Sequence, residues 1–276
     1  MNHFEAWGLA VVGKSVRLVE FNDQQALALS PVLPEVVSKT AAERDEWVVI
    51  VRRQSPYVLL GPKDQRLRHL SDAVAWLQSL GYPVFVRIGG GSAVLLDATC
   101  LSFGVARPCR DLTVWEKNFR ELSAGTIRGL QGLGIPAEFG RAVGSYCEGP
   151  FDLVANGKKI AGIAQAIRQG FSLVSGMVLV HQDPIHTTEV LQEFYERAGS
   201  DLRLDPRAVT AINQLPGQSA VTLDRVQRAL VSGHQELYDL RPEPLTASEW
   251  ALAKNLYHER QLGAKQLEEV HDASHY

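Results

Sequence analysis

Short runs of β-branched and aromatic residues dominate the first two thirds of the chain, and such runs are typical of strands. They lie at residues 16–21, 47–52, 57–60, 84–88, 93–96 and 101–106. Between them, residues 64–80 and 113–132 have apolar positions every three or four residues, as on one face of an α-helix. In the second helical segment this face comprises Trp115, Phe119, Leu122, Ile127 and Leu130.

The clearest local pattern is a β-hairpin centred on Asn156 and Gly157. This dipeptide favours a two-residue type I′ turn, because both of its positions need positive φ. The turn places Lys159 on a strand face with mostly apolar neighbours. The predicted ladder pairs Val154 with Lys159 and Asp152 with Ala161.

Beyond the hairpin the pattern continues with one more strand and then changes to helices. The strand is expected at residues 171–181, after a turn at Gln169-Gly170, and helices are expected from Thr187 onward. Thr246-Ala-Ser-Glu249 is a capping-box pattern that predicts a helix to about Leu262. Residues 271–276 are expected to be a frayed tail.

We therefore expect a single α/β domain over residues 1–276. Its core motifs lie at 47–181 and its helical C-terminal part at 187–270, and a boundary near Gln182 is the alternative. A length of 276 residues with 45% hydrophobic and 21% charged positions is typical of a globular chain with a sizeable core.

Composition and charge exclude several classes of function. A net charge of −3 without a basic stripe is unlike a nucleic-acid-binding protein. No apolar run approaches the roughly 20 residues that span a bilayer, and no secretory signal opens the chain. Three cysteines without a C-x-x-C pair indicate neither a disulfide framework nor a metal site. A reducing, cytoplasmic location is the expectation.

A run of three glycines, Gly89, Gly90 and Gly91, follows a predicted strand, with Arg87 just upstream. It matches neither a Walker A loop nor the dinucleotide fingerprint G-x-G-x-x-G. Glycines in such a place form a bulge or tight turn, or they let the backbone approach a ligand closely. From this pattern both interpretations stay open.

Cys147 and Lys159 are the candidate chemical groups. Cys147 lies between glycines and a proline, which places it in a loop, whereas Cys100 and Cys109 lie beside apolar strand residues. Most cysteines are buried and inert, and most lysines are at the surface, so neither residue alone establishes catalysis. A pairing of Cys147 with His181 or His186 also stays open.

Three segments together resemble the lipoate/biotin protein ligase superfamily. They are Arg53-Gln-Ser-Pro-Tyr-Val-Leu-Leu-Gly61, Val86-Arg-Ile-Gly-Gly-Gly-Ser-Ala-Val-Leu-Leu-Asp97, and Ser145-Tyr-Cys-Glu-Gly-Pro-Phe-Asp-Leu running into Gly157-Lys-Lys-Ile-Ala-Gly-Ile-Ala-Gln165. The third segment is the most specific. It is similar to the cysteine-dependent branch, and most to octanoyl-(glycine cleavage H protein):protein N-octanoyltransferases.

The resemblance implies a fold of mixed, largely antiparallel sheets flanked by helices. It implies that Cys147 is the acyl-accepting nucleophile and that Lys159 is a general acid and base that also stabilises the thiolate and the oxyanion. The substrate-binding residues that it implies are Arg87, Gly89, Gly90, Gly91, Ala93, Gly162 and Ala164. No metal, cofactor or ATP is expected.

The activity implied is transfer of an octanoyl or lipoyl group from the glycine cleavage H protein to lipoyl domains of 2-oxoacid dehydrogenase E2 subunits. Alternatives are transfer from octanoyl-acyl carrier protein, ATP-dependent lipoate ligation, and a catalytically silent acyl-protein binding module. Leu96, where ligases commonly have a histidine, and the presence of Cys147 favour a transferase. Gly89, Ser92 and residues 99–102 depart from the branch pattern, which bears on acyl-chain preference.

Overall fold

The computed structural model describes residues 13–21, 24–168 and 170–263. The predicted tail at 271–276 and Gln169 of the predicted turn lie outside these ranges. The strands are β1 (Lys14–Phe21), β2 (Val48–Arg53), β3 (Tyr57–Leu60), β4 (Val84–Val86), β5 (Val94–Leu96), β6 (Cys100–Pro108), β7 (Glu138–Gly140), β8 (Asp152–Ala155), β9 (Lys158–Arg168), β10 (Phe171–Leu179), β11 (Tyr238–Pro242) and β12 (Gln261–Leu262).

The described residues also form helices. They are α1 (Gln24–Ala28), α2 (Leu33–Glu43), α3 (Leu70–Ser79), α4 (Trp115–Gly132), α5 (Pro184–Arg197), α6 (Leu223–Gln235) and α7 (Ala247–Arg260). Short 3-10 turns lie at Asp64–Arg66, Leu112–Val114, Pro206–Ala208 and Ile212–Gln214.

The strands form two mixed sheets. The large sheet has the order β11-β1-β2-β6-β10-β9-β8-β7, and the small one has the order β12-β4-β3-β5. In the large sheet β1 runs parallel to β2 and β11, while each strand pair from β2 to β7 is antiparallel. The expected fold class, mixed and largely antiparallel sheets flanked by helices, is confirmed.

Helices cover both faces of the large sheet, and this explains the uninterrupted apolar sequence of β2. Val49 and Val51 pack with α4 and α6 in one hydrophobic cluster, whereas Val48 and Ile50 pack with α2 and α7 in another. Successive residues of a strand point to opposite faces. A strand that is buried on both faces therefore has no polar alternation.

The predicted C-terminal helices are present, and the capping box of α7 forms as expected. The Glu249 carboxylate also accepts a hydrogen bond from Arg17 Nη1 of β1 at 2.7 Å, and both side chains are fully buried. This part also contains β11 and β12, which the sequence analysis did not anticipate. Both are formed by pairing with strands that are distant in the sequence, β11 with β1 and β12 with β4.

Several predicted elements are shorter than expected. The segment at 64–80 divides into a 3-10 turn and α3, and α4 begins at Trp115 after another 3-10 turn. Trp115 itself is 48% exposed, so it is not a core residue. It packs edge-on against Phe119 and Phe151 near the surface. Strand β4 ends at Val86 and strand β5 begins at Val94, so that the glycine run lies in the loop between them.

The hairpin turn forms as predicted, but its register changes beyond the first pairs. Asn156 and Gly157 have φ of 52° and 75°, and Val154 pairs with Lys159. Ala161 then lies opposite Leu153 and not opposite Asp152 as predicted, because the ladder has a bulge at this point. A bulge sets two residues of one strand against one of the other. Asp152, which lies next to this bulge, forms an ion pair with Lys159.

Candidate active site

Cys147 lies in the loop between β7 and β8 with a φ of 47°, which is rare for a residue with a side chain. Its sulfur accepts hydrogen bonds from Arg87 Nη2 at 3.1 Å and from the Ser92 main-chain N–H at 3.2 Å. Both donors belong to the loop that contains the glycine run. This loop therefore provides a cationic group and a main-chain dipole at the sulfur.

Gly91 is the glycine whose lack of a side chain this arrangement requires. Its φ is 97°, and a Cβ there would lie 2.6 Å from both Arg87 Nη2 and Cys147 Sγ. A side chain at this position would separate the guanidinium from the sulfur. The glycine run therefore serves close approach between two parts of the protein.

Lys159 lies beneath the Cys147 loop and is 1% exposed. Its ammonium donates to the main-chain oxygens of Tyr146 and Cys147, both at 2.9 Å, and forms an ion pair with Asp152 Oδ2 at 2.9 Å. Asp152 also accepts the N–H groups of Gly149 and Ile163. The predicted apolar surroundings of Lys159 are wrong, because the buried carboxylate of Asp152 lies beside it.

The electrostatic environment favours the ionised form of Cys147. Burial raises the pKa of its thiol, but the positive charges of Arg87 and Lys159 and the hydrogen bonds from Ser92 and Arg87 lower it, so that the net pKa lies below the usual value of 9.0. For Asp152, burial raises the pKa above its usual value although Lys159 acts in the opposite direction. In contrast, burial raises the pKa of the Cys100 thiol to about 12.

A cavity of about 80 Å³, here called the β9–β10 cavity, opens beside Cys147. Its walls are largely apolar and come from strands of both sheets and from the glycine-containing loop, with α2 and α7 at the border. The lining includes Leu59, Val86, Gly89, Val94, Leu96, Gly162, Ile163, Ala164, Ala166, Leu173, Gly176 and Met177. Such a cavity next to a cysteine sulfur suits an apolar chain attached through a carbonyl.

The structure brings most of the predicted site residues together. Cys147, Arg87, Gly89, Gly162 and Ala164 all line the β9–β10 cavity. Lys159 lies directly behind it, since a Cβ on Gly162 would be only 3.3 Å from the lysine Nζ.

Three predicted substrate-binding residues lie apart from the cavity wall: Gly90, Ala93, and Gly91, which lies beside Arg87 and Cys147 as described above. Gly90 is exposed, and its N–H donates to the main-chain oxygen of Gln165 at 3.1 Å. Ala93 is fully buried, and its N–H donates to Tyr195 Oη at 2.8 Å. That contact belongs to a buried network with Asp64. Strand β5 begins at the next residue and turns the Ala93 side chain into the core.

Sequence reasoning missed Asp152 and the main-chain N–H of Ser92. The predicted register of the hairpin contained a signal for Asp152. Asp152 is two positions from Val154, the predicted partner of Lys159, and residues two apart in a strand lie on the same face. The Ser92 N–H had no sequence signal, since any residue but proline carries one. The donors to the sulfur are Arg87 and Ser92, and His181 and His186 are not among them.

The described part of the chain offers neither a metal site nor a membrane-spanning helix. No group of three His, Cys, Asp or Glu side chains there is arranged to hold a metal ion. None of the described helices combines the length and apolar character needed to cross a bilayer.

Comparison with known proteins identifies the family. The family model of the lipoyl protein ligase A/B catalytic domain matches residues 24–235. The chain belongs to this family. The resemblance stated from the three sequence segments is thereby confirmed. Cys147 and Lys159 both lie within the matched range.

Several curated proteins with similar sequences are named octanoyl-[GcvH]:protein N-octanoyltransferase. The relative from Kyrpidia tusciae is 34% identical over 53% of this chain and 54% of its own length, and that from Geobacillus kaustophilus is 32% identical over 64% and 62%. The relative from Anoxybacillus flavithermus is 28% identical over 83% of this chain and 85% of its own. The matches thus span less than two thirds of the first two relatives.

Solved structures of lipoate protein ligases have the same fold. A lipoate-protein ligase A bound with ATP superposes with a TM-score of 0.67 at 23% identity, covering 90% of this chain and 94% of that one. A bi-partite lipoate protein ligase from Thermoplasma acidophilum gives the same TM-score and identity, covering 89% and 92%. The similarity at this identity concerns the fold alone.

Proposed function

We propose that this protein is an N-octanoyltransferase of protein lipoylation, which moves an octanoyl or lipoyl group between lysine side chains through a thioester on Cys147. The observation that carries the proposal is a cysteine sulfur that accepts hydrogen bonds from Arg87 and Ser92 at the edge of an apolar cavity. The names of the relatives support the same activity.

Each half of the reaction exchanges one bond at the acyl carbon. The Cys147 thiolate attacks the carbonyl carbon of the donor amide, the S–C bond forms, the C–N bond breaks, and the departing lysine amine takes up one proton. The amine of the acceptor lysine then attacks the thioester, the C–S bond breaks, and the amine releases one proton as the thiolate returns. An amide replaces an amide, so we propose that no ATP or other cofactor is consumed.

The proton is assigned to Lys159. Its ammonium donates to the main-chain oxygen of Cys147, and its charge lowers the pKa of the Cys147 thiol; both support a place for Lys159 near the departing amine. A positioned general acid contributes typically 10²–10⁴-fold in rate. The thioester divides a difficult amide exchange into two easier steps.

The acyl chain is proposed to occupy the β9–β10 cavity. Burial of each methylene contributes about 0.8 kcal/mol, so seven carbons beyond the carbonyl contribute on the order of 5 kcal/mol. The proposed contacts come from Gly89, Gly162 and Ala164, where small residues leave room for the chain along β9. Arg87 lies where the acyl group meets the sulfur.

The proposed donor is the glycine cleavage H protein, and the proposed acceptors are lipoyl domains of 2-oxoacid dehydrogenase E2 subunits. The relatives are named for the first of these partners. All three cysteines are free in the structure, and a thioester mechanism needs a reduced Cys147, which fits a location in the cytoplasm.

The proposal is tested by intact-mass measurement after incubation with octanoylated H protein in the absence of ATP. We expect an added mass of one octanoyl group in the wild type and in Cys109→Ala, and none in Cys147→Ala. No adduct and no transfer to a lipoyl domain would refute the proposed donor. An adduct from octanoyl-acyl carrier protein alone, or transfer only with ATP, would assign one of the alternative activities.

A further inference from the structure

The cation that contacts the sulfur of Cys147 is Arg87 and not Lys159. Arg87 Nη2 donates to Sγ at 3.1 Å and is held in place by a second bond to the main-chain oxygen of Ser92 at 2.7 Å. The Ser92 N–H donates to the same sulfur at 3.2 Å. One short loop thus supplies both hydrogen-bond donors.

Lys159 has no donor to spare for the sulfur in this arrangement. An ammonium group carries three N–H donors, and three acceptors surround it at 2.9 Å: the main-chain oxygens of Tyr146 and Cys147 and the Asp152 carboxylate. Two of these acceptors belong to the loop that carries the nucleophile. The contacts of Lys159 therefore hold the main chain of Cys147 in its rare positive-φ conformation.

Asp152 completes this anchor from the other side. Its carboxylate accepts the Gly149 N–H at 3.0 Å, so it binds the far end of the same loop, and it accepts the Ile163 N–H of β9. The pair of Asp152 and Lys159 thus ties the loop to β9 at both ends.

Arg87 also retains an unused donor. Its Nε is buried and has no hydrogen-bond partner within the described structure. In a guanidinium, Nε–H and Nη2 lie on the same edge of a planar group. An acyl group on the sulfur would bring a carbonyl oxygen, the acceptor that this donor lacks, to that edge.

From this geometry we propose that Arg87 is a catalytic residue that stabilises the Cys147 thiolate and then the acyl oxygen, while Asp152 and Lys159 act as a positioning pair for the loop. This assignment rests on the proposed function. It moves thiolate and oxyanion stabilisation from Lys159 to Arg87, and for Lys159 to pass a proton to the leaving amine one of its three contacts must break.

The test measures the rate at which iodoacetamide alkylates Cys147 as a function of pH, with peptide mass mapping to separate Cys147 from Cys109. This assay needs no acyl donor, so its result is independent of the proposed substrates. We expect Arg87→Gln to raise the midpoint of the profile by about one pH unit or more, which makes alkylation about tenfold slower at pH 7.

A matched control is Arg168→Gln, since Arg168 donates to the Ile88 main-chain oxygen close to the same loop but does not contact the sulfur. Its profile should equal that of the wild type. The double variant Asp152→Asn with Lys159→Met removes both buried charges together, which avoids a lone buried carboxylate. We expect it to move the midpoint less than Arg87→Gln, while octanoyl transfer falls strongly.

The outcomes decide between the two cations. A midpoint unchanged in Arg87→Gln, or one that moves further in the double variant, would overturn the assignment. If the double variant does not fold, Lys159→Arg is measured in its place. This variant keeps the charge but changes the contacts of the loop, so the midpoint should move less than in Arg87→Gln. An unaltered octanoyl-transfer rate in Arg87→Gln would also overturn the catalytic role. If the alkylation results are as expected and no acyl donor is accepted, the proposed substrates are refuted, but the role of Arg87 in stabilising the Cys147 thiolate stands.

Discussion

The close approach of Gly91 to Cys147 leads to a prediction about a single methyl group. In Gly91→Ala the new Cβ would lie 2.6 Å from both Arg87 Nη2 and Cys147 Sγ, at a φ of 97°. Real contacts of a Cβ are longer than this, so the guanidinium or the Cys147 loop must move. We expect the hydrogen bond between Arg87 and the sulfur to be lost.

The size of the effect has two parts. A non-glycine residue in this backbone region costs roughly 1–3 kcal/mol, which in a domain of comparable size lowers Tm by roughly 2–12 °C. Loss of one hydrogen bond to a charged group costs roughly 1.5–3 kcal/mol. At 1.36 kcal/mol per pKa unit, the thiolate population at neutral pH falls roughly 10- to 150-fold.

The matched control is Gly90→Ala, one position earlier. Gly90 has an ordinary φ, and a Cβ there would meet no atom within 4 Å. Thermal unfolding and the rate of Cys147 alkylation at pH 7 are measured for both variants and the wild type. Equal melting temperatures and equal alkylation rates in the two variants would refute the reasoning, because they would show that the methyl group at 91 is accommodated without moving Arg87.

Three further predictions concern stability. In Gly176→Ala a Cβ would lie 2.5 Å from the Gly162 oxygen on the neighbouring strand, so we expect a loss of roughly 1–3 kcal/mol in thermal unfolding; an unchanged Tm would contradict it. Burial lowers the pKa of His234 from its usual value of 6.5 to about 4. The folded protein therefore has its full stability above pH 6.5 and loses up to about 3 kcal/mol as the pH falls towards 4. In His234→Gln the free energy of unfolding should depend less on pH between 4 and 6.5. The same pH dependence as in the wild type would show that another group causes it. Arg17→Met leaves Glu249 buried without its cation and should cost roughly 3–5 kcal/mol in urea unfolding, with partial recovery on adding Glu249→Gln.

Local sequence patterns predicted the local structure well. The type I′ turn at Asn156 and Gly157, the strand at 57–60 and the capping box of α7 each depend on residues within a few positions of one another. Their preferences act before tertiary contacts form. The bulge between Leu153 and Val154 depends on how β8 and β9 pack, and no residue near it signals an extra position.

The chemistry of the site was only partly visible in the sequence. Cys147 and Lys159 were identified from their motif, but their distance and partners follow from the fold. Arg87 lies 60 residues from Cys147 along the chain, and its contact with the sulfur requires the loop between β4 and β5 to fold over the loop before β8. Spacing along a sequence does not encode such a contact.

The thiolate site also links the stability of the fold to the ionisation of its nucleophile. Arg87, Ser92 and Lys159 surround Cys147 only in the folded chain, and the folded thiol has a pKa below its usual value of 9.0. An acid with a lowered folded pKa contributes stability above its unfolded pKa, and this contribution is lost as the pH falls through the folded pKa. A thioester cannot ionise, so the proposed acyl-enzyme lacks this contribution. The free enzyme therefore gains stability relative to its acylated form as the pH rises towards 9.0.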